Sequence, residues 1–310
     1  MKKKFSNLLF ILLTLIIAYE VLNESELVIS TVKLSYNIWI NNIFPSLFPF
    51  FIISSLLISL NFHEILGNLL KNITYKLFKI NKYSSFIIIL SMLSGSPSSS
   101  KNIKELYDKN LINEKEASKL LTFTHFTNPL FILGTVSTFV GDKELALPIL
   151  ISHYIGNFII GLLIRNWNKS ELSDIHTIPK NKKNDSFGNV LTKSISSSIN
   201  TLLLILGTVT IFLILTTLIN NLFNFSDLFK CIFTGLFEIT SGLKYLEILN
   251  LSSNIKGLIA VAILSFGGLS IHMQTITIIS DTKIKYFPYF LGRIFHAFIS
   301  SFIFFIWKVF

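Results

Sequence analysis

The sequence predicts an all-α, polytopic membrane protein with two structurally repeated halves, each carrying a re-entrant helical hairpin. Composition is the first observation behind this. Of 310 residues, 51% are hydrophobic and only 14% are charged, where a soluble domain carries roughly 25% charged residues. Mean hydropathy is +0.62. The second observation is a pair of apolar runs that stop at polar, helix-breaking clusters. Residues 86–93 end at Ser94-Gly95-Ser96-Pro97-Ser98-Ser99-Ser100-Lys101, and residues 259–266 end at Gly267-Gly268-Leu269-Ser270-Ile271-His272-Met273-Gln274. A bilayer crossing needs about 20 residues. A shorter run that stops at Gly, Pro and Ser reads as a half-helix that enters, turns and leaves. Such breaks survive at membrane depth only where protein or a watery cavity satisfies the backbone.

The elements follow in order. Residues 5–22 form a first, uncleaved helix with Lys2, Lys3 and Lys4 in the cytoplasm; a small-x-small cleavage site is poor because Ile16 lies two residues before Ala18. Glu20, Glu24 and Glu26 mark an acidic outside loop. Residues 36–60 span, kinked at Pro45 and Pro49. Residues 63–83 alternate Leu66, Leu69, Leu70, Ile73, Leu77 and Phe78 with Lys71, Lys76, Lys79 and Lys82, the pattern of an amphipathic helix on the cytoplasmic surface. After the first hairpin, Asn113 caps a helix with Glu114 and Glu116 in its first turn. That helix breaks at Asn128-Pro129 and continues to the outside through residues 131–140. Residues 145–167 return.

A hydrophilic stretch with Lys169, Pro179, Lys180, Lys182 and Lys183 then divides the chain. The units are therefore 1–35 (first helix and outside loop), 36–167 (first half), 168–194 (cytoplasmic linker) and 195–310 (second half). In the second half, residues 195–222 span, 228–249 are semi-polar, 255–280 hold the second hairpin, and 287–310 are the last span. Asn128-Pro129-Leu130-Phe131-Ile132-Leu133-Gly134 and Phe287-Pro288-Tyr289-Phe290-Leu291-Gly292 share a Pro-apolar-Gly rhythm, a weak internal symmetry. Inverted halves with 228–249 in the interface put Lys283 and Lys285 outside, whereas charge bias alone puts them inside.

The net charge of +10 falls in short loops between apolar segments, which a positive-inside bias explains. With no basic patch on a soluble fold, nucleic acid is not an expected partner. The single cysteine, Cys231, excludes an intramolecular disulfide framework and a cysteine-based metal cluster; an apolar setting makes it a packing residue. His63-Glu64-Ile65-Leu66-Gly67 lacks the second histidine of a zinc protease, and no P-loop, nucleophile elbow or dinucleotide fingerprint is present. Neither an enzyme nor a cofactor or metal is expected.

Candidate site residues cluster at the interruptions. Ser94, Gly95, Ser96, Ser98, Ser99 and Ser100 offer hydroxyls and backbone N–H groups at a half-helix N-terminus, an anion site; the bland reading is a turn in the headgroup region. Lys101 pairs with a carboxylate or snorkels. Arg293, in an apolar span three residues before His296, either forks onto a substrate carboxylate or locks to Glu238 as an internal pair. Glu238 and His296 are candidates for coupling. Gly267, Gly268, Ser270, His272 and Gln274 line the second tip. Asn128, with His125 and Thr127, sits where freed carbonyls accept a cation. The expected partners are the bilayer, a small anion and a coupling ion of unspecified identity, with homo-oligomerisation left open.

Several stretches together resemble the sporulation integral membrane protein YlbJ family: Pro45-Ser46-Leu47-Phe48-Pro49-Phe50, the Ser94 to Ser98 tip with Lys101, Glu105-Leu106, residues 112–121, Asn128 to Val136, and Gly235-Leu236-Phe237-Glu238-Ile239-Thr240-Ser241-Gly242. That family carries the nucleoside-recognition, or Gate, domain and is similar to concentrative nucleoside transporters. The resemblance implies a multi-pass protein of the mother-cell and forespore membranes in an endospore-former, moving dipicolinic acid. A nucleoside transporter and a non-transporting sporulation scaffold are the alternatives. The sequence departs from the family pattern at Pro97-Ser98-Ser99-Ser100-Lys101, where Pro-Ser-Gly-Ala-Lys is expected, and at Asn128-Pro129, where Gly-Pro is expected.

Overall fold

The structure is a computed structural model that describes residues 2–167, 186–223 and 225–309, and among these every regular element is helical. The chain begins with α1 (Lys2–Asn23), α2 (Ser25–Ile38), a π-helical turn (Trp39–Ile43) and α3 (Phe44–Ser59). The acidic outside loop expected at residues 20–26 is not a loop. Glu20 lies in α1 and Glu26 in α2, and only Glu24 leaves the helical region. The ladder carries across it, with Glu24 N–H donating to Glu20 O and Val28 N–H to Glu24 O. No Gly or Pro is present there to stop it. Ser25–Ser59 is consequently one helix long and apolar enough to cross a membrane, so the boundary placed at 35 falls inside an element. The π-turn sits where Pro45, lacking an N–H, cannot donate to Asn41.

The amphipathic helix is α4 (Phe62–Phe78), which exposes Ile65, Leu69, Ile73 and Leu77. It stops short of residue 83 because Lys79 takes a left-handed conformation. Asn81 then caps α5 (Lys82–Ser94), and the chain turns at Gly95 into α6 (Ser98–Asp108). Gly95 has φ 77°, and a Cβ on it would stand 2.6 Å from Asn128 N; only glycine fits both demands. Asn113 caps α7 (Glu114–Phe123), as its sequence predicts, its Oδ1 accepting from Glu116 N–H. A non-helical stretch follows, then a π-helical turn (Phe131–Val136), α8 (Ser137–Val140) and α9 (Ala146–Leu163).

The linker residues 168–185 lie outside the described residues, and residues 187–194 belong to α10 (Phe187–Leu222) rather than to a linker. Next come α11 (Asp227–Phe237), α12 (Ile239–Lys244), α13 (Ser253–Phe266), α14 (Gly268–Ile279) and α15 (Phe287–Val309). Besides Ser25–Ser59, the segments long and apolar enough to span are Lys143–Leu163, Phe187–Leu222, Ser253–Ile279 and Phe287–Lys308.

The second fold-back is not at residues 255–280. α5 packs on α6 and α11 packs closely on α12, whereas α13 and α14 do not lie side by side. Gly267, with φ 92°, breaks α13 from α14 without reversing the chain. The reversal lies at Glu238, and its cause is steric. A Cβ on Gly242 would run into the Gly235 backbone, so two bare glycines let α12 cross α11 at backbone contact. Cys231 Sγ closes the crossing against Gly242 O at 3.4 Å.

One end of the molecule gathers the basic loops. Buried Lys119 on α7 donates to Phe78 O at 2.6 Å and Arg165 O at 2.8 Å, joining the ends of α4 and α9 through carbonyls their helices leave free. Lys104 on α6 reaches Asp281 at 2.6 Å, and that hydrogen bond holds the exposed Asp281 carboxyl below its usual range. Lys285 N–H donates to Ser118 Oγ at 2.9 Å. The segment carrying Lys283 and Lys285 therefore sits at the same end as the open side of α5–α6 and the end of α9, not at the opposite one.

Candidate functional site

The unwound stretch between α7 and α8 would be untenable in lipid if its backbone were bare. Side-chain and backbone groups from three neighbouring elements satisfy it and the last turn of α7. Arg293 on α15 donates to Thr122 O at 2.6 Å, the α9 amide of Asn157 donates to His125 O at 2.5 Å, and Ser96 N–H at the first tip donates to Phe126 O at 2.7 Å. Thr127 N–H donates to His153 Nε2 at 2.9 Å, and Asn128 Oδ1 accepts from Leu130 N–H at 2.8 Å. Because His153 Nε2 accepts, its proton is on Nδ1, which faces Ser265 Oγ at 3.0 Å.

The other interruptions come to the same place. A Cβ on Gly267 would touch the His125 ring at 2.8 Å, and one on Gly268 would stand 3.3 Å from the Gly235 and Phe237 carbonyl oxygens. Both tips and both breaks thus converge, and a cavity of about 90 Å³ lies between them. Its wall takes Ser96 and Pro97 from the first tip and Thr127 and Asn128 from the first break. Glu238, Ile239 and Thr240 come from the second tip, and Ser270, Ile271 and Gln274 from the start of α14. Helix α3 adds Ser46 and Leu47, and α10 adds Ile205 and Val209. At roughly 30 Å³ of liquid volume per water, the space holds about three waters.

No Lys, Arg or His is among the described lining residues. Glu238, 3% exposed, is the ionisable group on the wall, its two oxygens accepting from Thr240 N–H at 3.1 Å and Ser241 N–H at 2.7 Å. Gln274, 1% exposed, donates through Nε2 to Thr208 Oγ1 at 2.9 Å, while its Oε1 has no partner. A buried acceptor left so costs about 1–3 kcal/mol. The Thr208 hydroxyl hydrogen is taken by Leu204 O or Ile205 O, at 3.0 Å each. With its hydrogen so placed, Thr208 Oγ1 accepts from Gln274 Nε2, the orientation assigned to this amide.

Of the residues singled out in the sequence, Ser96, Thr127, Asn128, Glu238, Ser270 and Gln274 line this cavity. Gly95, Gly267 and Gly268 shape the turns around it. Ser94 donates to Leu90 O, Ser98 accepts from Asn102, Ser100 meets Thr275, and Ser99 is buried beside them. Lys101 does not reach the wall; its ammonium stands over the Phe51 ring at 5.1 Å. His272 is held by Tyr286 OH at 2.7 Å and Phe266 O at 3.1 Å.

Arg293 is fully buried and is not among the described residues that line the cavity. Besides Thr122 O it donates to Asn157 Oδ1 at 3.0 Å and His296 Nδ1 at 2.6 Å. His296 Nε2 carries its proton toward His153 O at 2.7 Å, which leaves Nδ1 free to accept. Arg293 and Glu238 do not pair among the described ion pairs: the first serves backbone, and the second serves the N-terminus of its own short helix. Sequence reasoning missed Thr240, whose signal was its place two residues after Glu238 between Gly235 and Gly242. It also missed His153 and Asn157, which look like ordinary polar residues of an apolar span. Among the described residues, no three His, Cys, Asp or Glu gather to hold a metal ion.

Over 98% of its length the chain is 28% identical to the sporulation integral membrane protein YlbJ of Bacillus subtilis (strain 168), covering 84% of that protein. No family model and no solved structure matches the chain. The resemblance carried by the motifs therefore extends along nearly the whole sequence, and with the apolar helices it makes this an integral, multi-pass membrane protein similar to a sporulation membrane protein.

Proposed function

We propose that the chain is a membrane transporter that moves a small anionic molecule, dipicolinic acid in a sporulating cell, through the cavity between its chain interruptions. The observation that carries this is the direction of two half-helices. α6 begins at the cavity wall, at Pro97, and α14 reaches the wall in its first turn, through Ser270 and Ile271. Each N-terminus presents unpaired N–H groups and roughly half a positive charge, an arrangement that suits a carboxylate at each.

The order of elements supports alternating access. α5–α6, the broken α7–α8 and α9 are followed after α10 by α11–α12, the broken α13–α14 and α15. With the loops before α5 and before α15 at one end, the two sets run in opposite directions, as inverted repeats do. On this reading α5–α6 opens to the cytoplasm and α11–α12 to the other side, and Lys283 and Lys285 still obey the charge bias. The conflict between inversion and charge disappears once the second fold-back is α11–α12. A nucleoside is the second reading, because Glu238 and Gln274 offer acceptors to its hydroxyl and amino donors.

Uptake of radiolabelled dipicolinate and of uridine into proteoliposomes tests this, beside a Val209→Phe variant that fills the cavity from α10. Saturable dipicolinate uptake that Val209→Phe abolishes is the expected result. Uridine uptake alone moves the reading to a nucleoside carrier. Folded protein that carries neither is the signature of a scaffold.

A further inference from the structure

We propose that the cavity wall formed by Glu238 and Gln274 is a binding site for a monovalent alkali cation. Gln274 supplies the independent evidence of a ligand. Its Oε1 is buried, belongs to a cavity-lining residue and has no partner in the assigned amide orientation, in which Nε2 donates to Thr208 Oγ1. Glu238 supplies the charge. Each carboxylate oxygen accepts one backbone N–H, and the neutral Thr240 and Ser241 side chains stand by the same carboxylate. No cationic side chain is among the described lining residues.

The donor set selects the ion. Around the same space stand Thr240, Ser270, Ser96 and Asn128, all neutral oxygen-bearing side chains. One carboxylate among neutral oxygens balances a single positive charge, whereas calcium sites gather several carboxylates. Softer metals need imidazole or thiolate, which the described lining lacks. Irregular backbone between half-helices is also where transport folds hold small cations. Such an ion neutralises Glu238 and leaves the N-termini of α6 and α14 free to attract an anion. The site then binds both partners of a coupled pair in one space. The coupling role rests on the transport reading; the binding does not.

The test is thermal unfolding of the full chain in detergent, with choline chloride replaced stepwise by sodium or potassium chloride at constant ionic strength. The unfolding midpoint should rise with one of the alkali ions, as mass action on a site present only in the folded state requires. Gln274→Met should raise the half-saturating concentration about tenfold or more, the size of one lost charge-assisted contact. Glu238→Gln should remove the dependence. Gln274→Met keeps both the carboxylate and the cap on α12, so it decides the matter if Glu238→Gln fails to fold. No rise beyond choline in the wild type, or an identical titration in Gln274→Met, overturns the site. Cation-dependent stabilisation without uptake of either solute upholds the site and sinks the transport reading; uptake without it does the reverse.

Discussion

Replacing Arg293 with alanine separates a scaffold from a substrate ligand. The guanidinium is 0% exposed and donates to Thr122 O, Asn157 Oδ1 and His296 Nδ1. Alanine leaves three buried acceptors without a donor, each costing about 1–3 kcal/mol. The three share one network, so their costs do not add fully. Relief from burying a cation with no carboxylate partner returns part of the loss. A net destabilisation of about 3–4 kcal/mol follows, or roughly 6–8 °C at ~2 °C per kcal/mol for a chain of this size. Thermal unfolding in detergent measures it, and dipicolinate uptake is read on the fraction that remains folded. A variant that melts within about 1 °C of the wild type yet loses uptake refutes the reasoning and returns Arg293 to the substrate.

Two further predictions concern the reversal at Glu238. Gly242→Ala puts a Cβ against the Gly235 backbone, and because no side chain can rotate away it should cost about 2 kcal/mol or more; an unchanged unfolding midpoint would show that α12 does not cross α11 there. In a Cys231→Ser background, Lys109→Cys and Lys283→Cys should be labelled by an impermeant maleimide from the same side of the membrane, and Ser252→Cys from the other. Labelling of Lys109→Cys and Lys283→Cys from opposite sides would sink the inverted arrangement.

Much of the site was legible because breaking a helix in lipid demands conspicuous residues. The Ser94 to Lys101 cluster, Asn128-Pro129 and Gly267-Gly268 each interrupt an apolar run, and all three meet at the cavity. Glu238 stood out as a carboxylate in a semi-polar run, and Asn113 announced a helix start by its own chemistry. The direction of chain reversal was not legible. Gly267-Gly268 looks like a hairpin tip, but whether two half-helices fold back depends on what lies across from them, and the close approach that permits it is between Gly235 and Gly242.

Composition and hydropathy, both local and additive along the chain, suffice for the membrane class, the helical content and the places where helices fail. The cost of an unmet backbone group or a short apolar run is felt wherever the residue sits. Partnership is not additive in that way. That Arg293 serves the carbonyl of Thr122, 171 positions away, that Lys119 closes two other helices, and that Gln274 keeps one acceptor unpartnered are decided by packing. In a low-dielectric interior a polar group bonds to whatever the fold brings within 3 Å, and sequence distance has no bearing on that.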